Sequence, residues 1–411
     1  MPTPLETLHA YISQHAIPFS PEDPASLATL SDRLLAACDP HLQILALGEP
    51  THLVNDYLLL RNRFFQTLAQ RHHFSAIAIE SSFTRSHLAN DFILGRTDSL
   101  DDALAQGITH NMHHLPAQRE LLQWMRDYNV SHPTPLHFYG FDSPTEMSHA
   151  DSPRSLLTTT LDYLATLDPS AAQHQRQQID PLLAPDNDWQ NPAAMMDPAH
   201  SIGRSPNANA LRLATEDLIT HLTTLEPQAP DPRAFRHALH HAALARQLLT
   251  YHAAMASTSP TRFADLLALR DRIMADNLLH IAAHEQPRGK LLAFAHNTHL
   301  QRTQATWTWG PQKLTWYPAG AHLAAALRTQ YATITTAAAT STTNHLPPPT
   351  PETLESLLTI SPAPAHLLPT QNAPTLPPGT VPTRPTDPRY SPLTQSSLTN
   401  ANFLLLLKTA D

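Results

Sequence analysis

Ionisable side chains follow four short apolar runs of this sequence, at the point where each run ends. They are Glu49, Glu80, Asp142 and His296. Two further histidines, His52 and His299, come three residues after members of this set. Imidazole has the pKa that general acid–base catalysis needs near neutrality, and a nearby carboxylate tunes that pKa. The pattern therefore predicts a site of general acid–base chemistry.

The apolar runs have the length of buried strands and are separated by stretches with helical periodicity. The predicted strands are 43–47, 75–79, 137–139 and 290–295, with weaker candidates at 331–336 and 403–408. The clearest predicted helices are 55–71, 116–129 and 261–285. Strands that alternate with helices predict an α/β fold: a central, mostly parallel sheet surrounded by many helices. Ligands bind such sheets beyond the carboxyl ends of the strands, which is where the ionisable residues fall.

Four regions differ in pattern along the chain. The pattern in residues 1–145 predicts an N-terminal helix and the first part of the α/β core. The pattern in residues 261–340 predicts the second part of that core. Between them, residues 146–260 show helix after helix, which predicts a helical insertion or lid. Residues 341–411 are rich in Pro and Thr as far as residue 400, which is typical of a loop-rich wrap or a partly disordered segment. The last apolar run then predicts an edge strand.

Gly48 and Arg61, which both follow the first predicted strand, strengthen the predicted site. Gly48 allows the backbone to turn sharply, so that Glu49 can orient a neighbouring imidazole. Arg61 lies four residues after Tyr57 and shares its helix face, from which it would bring a fixed positive charge to the strand ends. Taken singly, Arg61 is more often a solvated helix residue and Asp142 a turn residue. Their common position at one sheet edge favours a functional interpretation.

Composition excludes several classes of protein. Lys and Arg number 26 against 35 Asp and Glu, and the net charge of −9 argues against a nucleic-acid binder. Cys38 is the only cysteine, which excludes a disulfide framework and a cysteine zinc cluster. No apolar run approaches the roughly 18 residues of a membrane span, and the first 15 residues lack the pattern of a signal peptide. We therefore expect a soluble cytoplasmic protein without a membrane or nucleic-acid partner.

The 27 histidines are a weak signal by themselves. Pro is abundant (39) and Gly scarce (9), a combination that a C-rich, G-poor coding strand would produce. The histidine doublets are therefore predicted to be mostly surface residues; they begin at His72, His113 and His240. The sequence also contains no G-x-S-x-G elbow, P-loop, G-x-G-x-x-G or H-E-x-x-H motif. These absences disfavour a serine hydrolase of the common kind, a nucleotidase and a Rossmann dehydrogenase.

Six blocks of the sequence together resemble the erythromycin esterase family. In order they are LGEPTHLVNDYLLLR (47–61), FSAIAIES (74–81), LLQWMRDYN (121–129), GFD (140–142), RDRIMADN (270–277) and FAHNTH (294–299). They correspond to the G-E-x-[ST]-H…LR, F-x-x-[IV]-x-x-E, L-x-W-[LM]-R-x-Y-N, G-F-D, R-D-x-x-M-A-x-N and W-A-H-N-x-H patterns. This chain departs from the patterns at Pro50, Leu53 and Phe294. The poor match of 146–260 leaves the substrate open.

The resemblance implies hydrolysis of a carboxylic ester, such as a macrolide lactone, without a serine nucleophile or a cofactor. It implies that His52 is the general base that activates water. The other implied catalytic residues are Glu49, Arg61, Glu80 and His296. We expect substrate contacts from His299, Asp142, Asn297 and Tyr57. In this interpretation, Arg61 or a protonated His296 stabilises the oxyanion that forms on the ester carbonyl.

Three other functions stay open on the sequence alone. A biosynthetic tailoring enzyme could use the same scaffold for lactonisation, acyl transfer or elimination. A metal or haem site could be formed by Glu49, His52, Glu80, His296 and His299, all of which are suitable ligands. A non-enzymatic binding protein could use the Pro-rich tail as a docking segment.

Overall fold

The structure is a computed structural model that describes residues 2–145, 150–387 and 389–411. The strands are β1 (Ile17–Phe19), β2 (Ile44–Glu49), β3 (Phe74–Ser82), β4 (His137–Asp142), β5 (Lys290–His296), β6 (Ala305–Trp309), β7 (Gln312–Trp316), β8 (Tyr331–Thr340), β9 (Ala365–Pro369) and β10 (Phe403–Thr409). The first helices are α1 (Pro4–His15), α2 (Pro24–Ala36), α3 (Asn55–His72), α4 (His87–Ile93), α5 (Leu100–Gly107), α6 (Pro116–Ser131), α7 (Arg154–Leu167) and α8 (Pro169–Ile179). They are followed by α9 (Asp186–Trp189), α10 (Pro206–Thr224), α11 (Pro232–Met255), α12 (Arg262–Glu285), α13 (Asn297–Leu300), α14 (Ala319–Leu327), α15 (Leu354–Leu358) and α16 (Ser397–Asn400).

Eight strands form one mixed, mostly parallel sheet in the order β1-β9-β10-β8-β2-β5-β3-β4. From β10 to β4 every neighbouring pair is parallel, whereas β9 pairs antiparallel with both β1 and β10. The predicted fold class is therefore confirmed, and all six predicted strands belong to this sheet. The last strand differs from the prediction in one respect: β10 lies inside the sheet, between β9 and β8, and not at its edge.

Helices cover both faces of the sheet, which explains why its strands read as continuous apolar runs. Successive side chains of a strand point to opposite faces. Along β2, Leu45 and Leu47 join a core formed with α2, α3 and α6. Ile44 and Ala46 join a second core formed with α7 to α12. Burial on both sides fixes the register of β2, and with it the position of the residues at its carboxyl end.

The helical segment predicted for 146–260 forms α7 to α11, and no strand occurs in the part of it that the structure describes. Helix α11 packs against α7, α10 and α12, and α12 in turn packs on the sheet. These helices therefore form a second layer outside α12. No helix in the described part of the chain has both the length and the apolar character needed to cross a membrane.

The Pro- and Thr-rich segment is more ordered than its composition predicts. It contributes β9, which pairs with β10 over five residue positions, and it buries Leu393 and Val381 in a third core with α1. A second unpredicted element is the β6–β7 hairpin, which is separate from the main sheet and packs against α12. Strand β9 thus forms by pairing with distant strands, whereas the β6–β7 hairpin pairs locally and is held in place by α12.

Substitution Gly140→Ala is expected to lower the free energy of unfolding by about 3 kcal/mol. A Cβ atom at Gly140 would lie 2.4 Å from the carbonyl oxygen of Ser81 and 2.6 Å from that of Ser82, so β3 and β4 would have to separate. Urea unfolding followed by circular dichroism measures the effect. The control is Gly95→Ala, where a Cβ atom meets nothing within 4 Å and only the positive φ of +70° costs about 1 kcal/mol. Equal losses in the two variants would contradict the prediction.

Candidate active site

The imidazole of His52 lies between two buried carboxylates at the carboxyl ends of β2 and β3. Its Nδ1 donates a hydrogen bond to Glu49 Oε1 at 2.7 Å, and its Nε2 lies 3.7 Å from Glu80 Oε1. Both carboxylate side chains are buried, whereas the His52 side chain is 43% exposed. The strand ends therefore present one accessible imidazole whose orientation is fixed by Glu49.

The two carboxylates control the protonation of His52. Burial alone would lower the pKa of His52, but the charge of Glu80 and the hydrogen bond to Glu49 raise it to about 9. Burial raises the pKa of Glu49, and the contact with His52 only partly opposes this. Burial would also raise the pKa of Glu80, but His299, His52 and Arg270 hold it well below its ordinary value. At neutral pH the free protein thus holds a protonated His52 beside an ionised Glu80.

Arg270 on α12 joins Glu80 to Asp142. Its Nη2 donates to Glu80 Oε1 at 2.9 Å and to Asp142 Oδ2 at 2.5 Å, and its Nε donates to Asp142 Oδ1 at 2.9 Å. Asp142 is fully buried and also lies 2.7 Å from His110 Nε2. Burial would raise the pKa of Asp142, but Arg270 and His110 hold it far below its ordinary value. Asp142 thus fixes the guanidinium of Arg270, and the substrate contact expected of it stays a prediction.

His299 lies on the other side of Glu80 and is held by Asp271. Its Nδ1 donates to Asp271 Oδ1 at 2.8 Å, and its Nε2 lies 3.4 Å from Glu80 Oε1. Burial would lower the pKa of His299, but the carboxylates of Asp271 and Glu80 raise it. Asp271 also accepts hydrogen bonds from Trp316 Nε1 at 2.6 Å and from the backbone N–H of Ala319 at 2.9 Å. The β6–β7 hairpin, which ends at Trp316, therefore helps to fix this histidine.

His296 has both ring nitrogens in hydrogen bonds to the backbone. Its Nε2 donates to the carbonyl oxygen of Pro50 at 3.0 Å, and its Nδ1 accepts from the N–H of Thr298 at 3.2 Å. Burial and the nearby charge of His52 lower the pKa of His296 to about 3. The ring is therefore neutral, in contrast to the protonated His296 that we expected to stabilise an oxyanion. It packs beside His52, with the ring centroids 5.2 Å apart, and its backbone N–H donates to Glu80 Oε2 at 2.8 Å.

Arg61 is completely buried in the interior. Its guanidinium donates to Asn62 Oδ1 at 2.7 Å and to Gln118 Oε1 at 3.1 Å, and it lies 5.0 Å from the ring centroid of Phe294. No hydrogen bond in the described part of the chain joins Arg61 to a carboxylate of the site. Burial lowers its pKa to about 9, and the charge of Glu49 only partly offsets this. Arg61 therefore lies in the interior near Glu49 and does not reach the strand ends, and a catalytic role for it stays a prediction.

Two residues expected to contact substrate are buried in structural positions. The amide of Asn297 donates from Nδ2 to the carbonyl oxygen of Thr336 at 2.8 Å and accepts at Oδ1 from the Thr336 N–H at 3.2 Å. This pair of bonds fastens the end of β5 to β8. Tyr57 is buried in the hydrophobic core, and its hydroxyl lies beside that of Tyr390. The spacing of these residues places them near the site, but their side chains point into the protein interior.

Sequence reasoning missed three residues that hold the site together: His110, Arg270 and Asp271. A signal for two of them was available, because Arg270 and Asp271 begin the RDRIMADN block that resembles the family pattern. His110 carries no comparable signal, since it comes from a loop between α5 and α6 in a left-handed conformation (φ 58°). Arg270 and His110 contact the buried carboxylate of Asp142, and Arg270 also contacts Glu80, whereas Asp271 holds His299.

The site contains side chains that are suitable metal ligands, namely Glu49, His52, Glu80, His296 and His299. Several of their atoms are already hydrogen-bonded: His52 Nδ1 to Glu49, His299 Nδ1 to Asp271, His296 Nε2 to the backbone, and Glu80 Oε2 to the backbone N–H of His296. Across residues 2–145, 150–387 and 389–411, no group of three or more His, Cys, Asp or Glu side chains is arranged to hold a metal ion. The arrangement can hold protons at defined nitrogens beside fixed carboxylates, which is what acid–base catalysis requires.

Fold and site define an α/β protein whose acid–base cluster lies at the carboxyl ends of a mostly parallel sheet. The family model described as erythromycin esterase matches residues 69–401. The chain therefore belongs to the erythromycin esterase family. The matched region contains Glu80, Asp142, Arg270, His296 and His299 and begins after His52.

Known proteins of similar sequence and fold include esterases. An erythromycin esterase type II from Escherichia coli is 23% identical over 268 residues, which span 64% of this chain and 61% of that protein. A Bacillus cereus protein of solved structure has a TM-score of 0.72 at 16% identity and covers 100% of this chain and 98% of its own. A mutant of the erythromycin esterase EreC in its open conformation has a TM-score of 0.68 at 19% identity, with 95% of each chain covered. At these identities, the likeness to the solved structures concerns the fold.

Proposed function

We propose that this protein hydrolyses a carboxylic ester or lactone of a natural product with water that is activated by His52. The observation that carries the proposal is the accessible His52 imidazole, whose Nδ1 is held by the buried Glu49 at 2.7 Å. Because Glu49 holds Nδ1, the opposite ring nitrogen, Nε2, points away from Glu49. When deprotonated, Nε2 can remove a proton from water. Family membership supports an ester as the substrate class. The covalent serine intermediate of common esterases is not required.

In the proposed reaction, deprotonated His52 takes a proton from water as the new C–O bond forms at the ester carbonyl. The carbonyl oxygen gains negative charge in this step, and the resulting tetrahedral intermediate expels the alkoxide, which recovers a proton from His52. We propose that Arg270 provides the positive charge beside the oxyanion, because its side chain is 19% exposed whereas Arg61 is fully buried. A donor to an oxyanion contributes about 3–4 kcal/mol.

A panel of macrolides, simpler lactones and aryl esters tests the proposal with the purified full-length chain. The expected result is hydrolysis of at least one lactone or ester, with one atom of ¹⁸O from labelled water in the product acid. The same measurement distinguishes the alternative reactions on this scaffold. Turnover without incorporation of label would overturn hydrolysis and favour lactonisation, acyl transfer or elimination.

A chelator tests the metal-dependent alternative. Turnover is expected to be unchanged after dialysis of the protein against a chelator, and a loss of turnover would favour the metal-dependent alternative.

The rate should rise with pH because His52 must lose its proton before it can act as a base. The raised pKa predicts that log kcat/KM increases up to a pH of about 9 and then levels off. In Glu49→Gln the hydrogen bond to a carboxylate is lost, so the apparent pKa is expected to fall toward the ordinary value of about 6.5. The comparison uses kcat/KM measured from pH 5 to 10 for both proteins. A profile that is the same in both would show that His52 is not the titrating base.

A further inference from the structure

Helices α11 and α12 bring four histidines to one cavity away from the candidate active site. His237 and His241 are four residues apart on α11, and His280 and His284 are four residues apart on α12, so each pair lies on one helix face. All four line a cavity of about 720 Å³. His280 is ten residues from Arg270 on the same helix, which corresponds to about 15 Å along its axis. This cavity is therefore a different place in the fold.

Two of these imidazoles face each other at a distance suited to a shared metal ion. His237 Nδ1 and His280 Nε2 are 3.5 Å apart. Zinc binds imidazole nitrogen at about 2.0–2.1 Å, and two such bonds at the tetrahedral angle place the nitrogens about 3.4 Å apart. Two imidazolium ions at this separation would repel one another, so at least one ring is neutral, as a metal ligand must be.

Neighbouring side chains hold the two rings in place. The ring of His280 stacks on that of His240 with centroids 4.1 Å apart and an interplanar angle of 3°. His240 Nε2 is itself hydrogen-bonded to Asn277 Oδ1 at 2.8 Å. His237 packs against His241 with centroids 4.3 Å apart. The doublet at His240 and His241 is thus part of a packed cluster and not the surface feature that composition predicts.

We propose that His237 and His280 bind a divalent transition-metal ion, such as zinc, between α11 and α12. Since the described residues provide no third ligand around that point, water completes the coordination shell. The open cavity leaves room for it. Such an ion would link two helices that are adjacent in the chain, and so would stabilise the folded protein by an amount that grows with the logarithm of the ion concentration. The site is independent of the proposed ester hydrolysis.

Titration of the chelator-treated full-length protein with Co²⁺ and Zn²⁺ tests the proposal. One equivalent of Co²⁺ is expected to produce visible absorption bands, and Zn²⁺ is expected to displace them and to raise Tm. In His237→Gln and in His280→Gln, the metal should bind at least about 10-fold more weakly while ester hydrolysis is retained. His174→Gln is the matched control, because His174 lies on α8 and is exposed.

A second control separates this site from the candidate active site. His52→Gln should bind Co²⁺ as the unmodified protein does. Absence of saturable binding, or equal binding in the His237 and His280 variants, would overturn the proposal and leave the two rings as a hydrogen-bonded pair. Loss of binding in His52→Gln would overturn it as well, because the metal would then bind at the strand ends.

Discussion

Substitution His52→Gln is expected to lower kcat for ester hydrolysis by about 10²- to 10⁴-fold, the usual contribution of a well-placed general base. Glutamine keeps roughly the size and the hydrogen-bonding character of the side chain but cannot accept and release a proton near neutral pH. The effect should fall on kcat more than on KM, because His52 acts on water and not on the bound ester. Steady-state kinetics on the best substrate of the panel measure this division.

The matched control is His41→Gln. His41 is exposed and precedes β2, whereas His52 follows it, so the two histidines lie toward opposite ends of one strand. The control should retain full kcat. Far-ultraviolet circular dichroism and Tm must be unchanged in both variants for the comparison to hold. Full turnover by a folded His52→Gln protein would remove His52 from the mechanism and with it the central part of the proposed function.

The sheet was predictable because its central strands carry a strong local signal. The apolar runs that became β2, β3 and β5 are buried on both faces, and each ends in a polar residue that marks the sheet edge. Strand β9 has no such signal: it is five residues long, ends in Pro369 and pairs with β1, which is far from it in the sequence, and with β10, which follows it after a long loop. Long-range pairing of this kind cannot be derived from local propensity.

The candidate site was predictable in position but not in side-chain direction. Strand ends brought Glu49, Glu80 and His296 together as expected, since neighbouring parallel strands end at one edge. Which way each side chain points depends on tertiary packing, which is why Asn297 joins two strands and Arg61 lies in the interior. The structure instead directs Arg270 from α12 to the strand ends, a direction that neither the helical periodicity nor the RDRIMADN block predicts.

Substitution Arg270→Gln is expected to reduce the free energy of unfolding by about 3–5 kcal/mol at pH 7, the usual cost of removing one partner from a buried ion pair. It leaves the carboxylates of Glu80 and Asp142 buried without the charge that compensates them. Urea unfolding at pH 7 measures the loss. The control on the same helix is Arg272→Gln, because Arg272 is 52% exposed and its ion pair with Asp276 should contribute at most about 1 kcal/mol.

The loss in Arg270→Gln should also depend on pH in a defined direction. In the unmodified protein the pKa values of Glu80 and Asp142 lie below their ordinary values, so these groups contribute stability above about pH 4.5 that is lost as the pH falls. Without Arg270 that depression weakens, and the carboxylates take up protons at a higher pH, which relieves the buried charge. The difference in unfolding free energy between the two proteins should therefore be largest near pH 7 and shrink toward pH 4. A difference that stays constant over this range would show that Arg270 stabilises the fold by packing and not by pairing with Glu80 and Asp142.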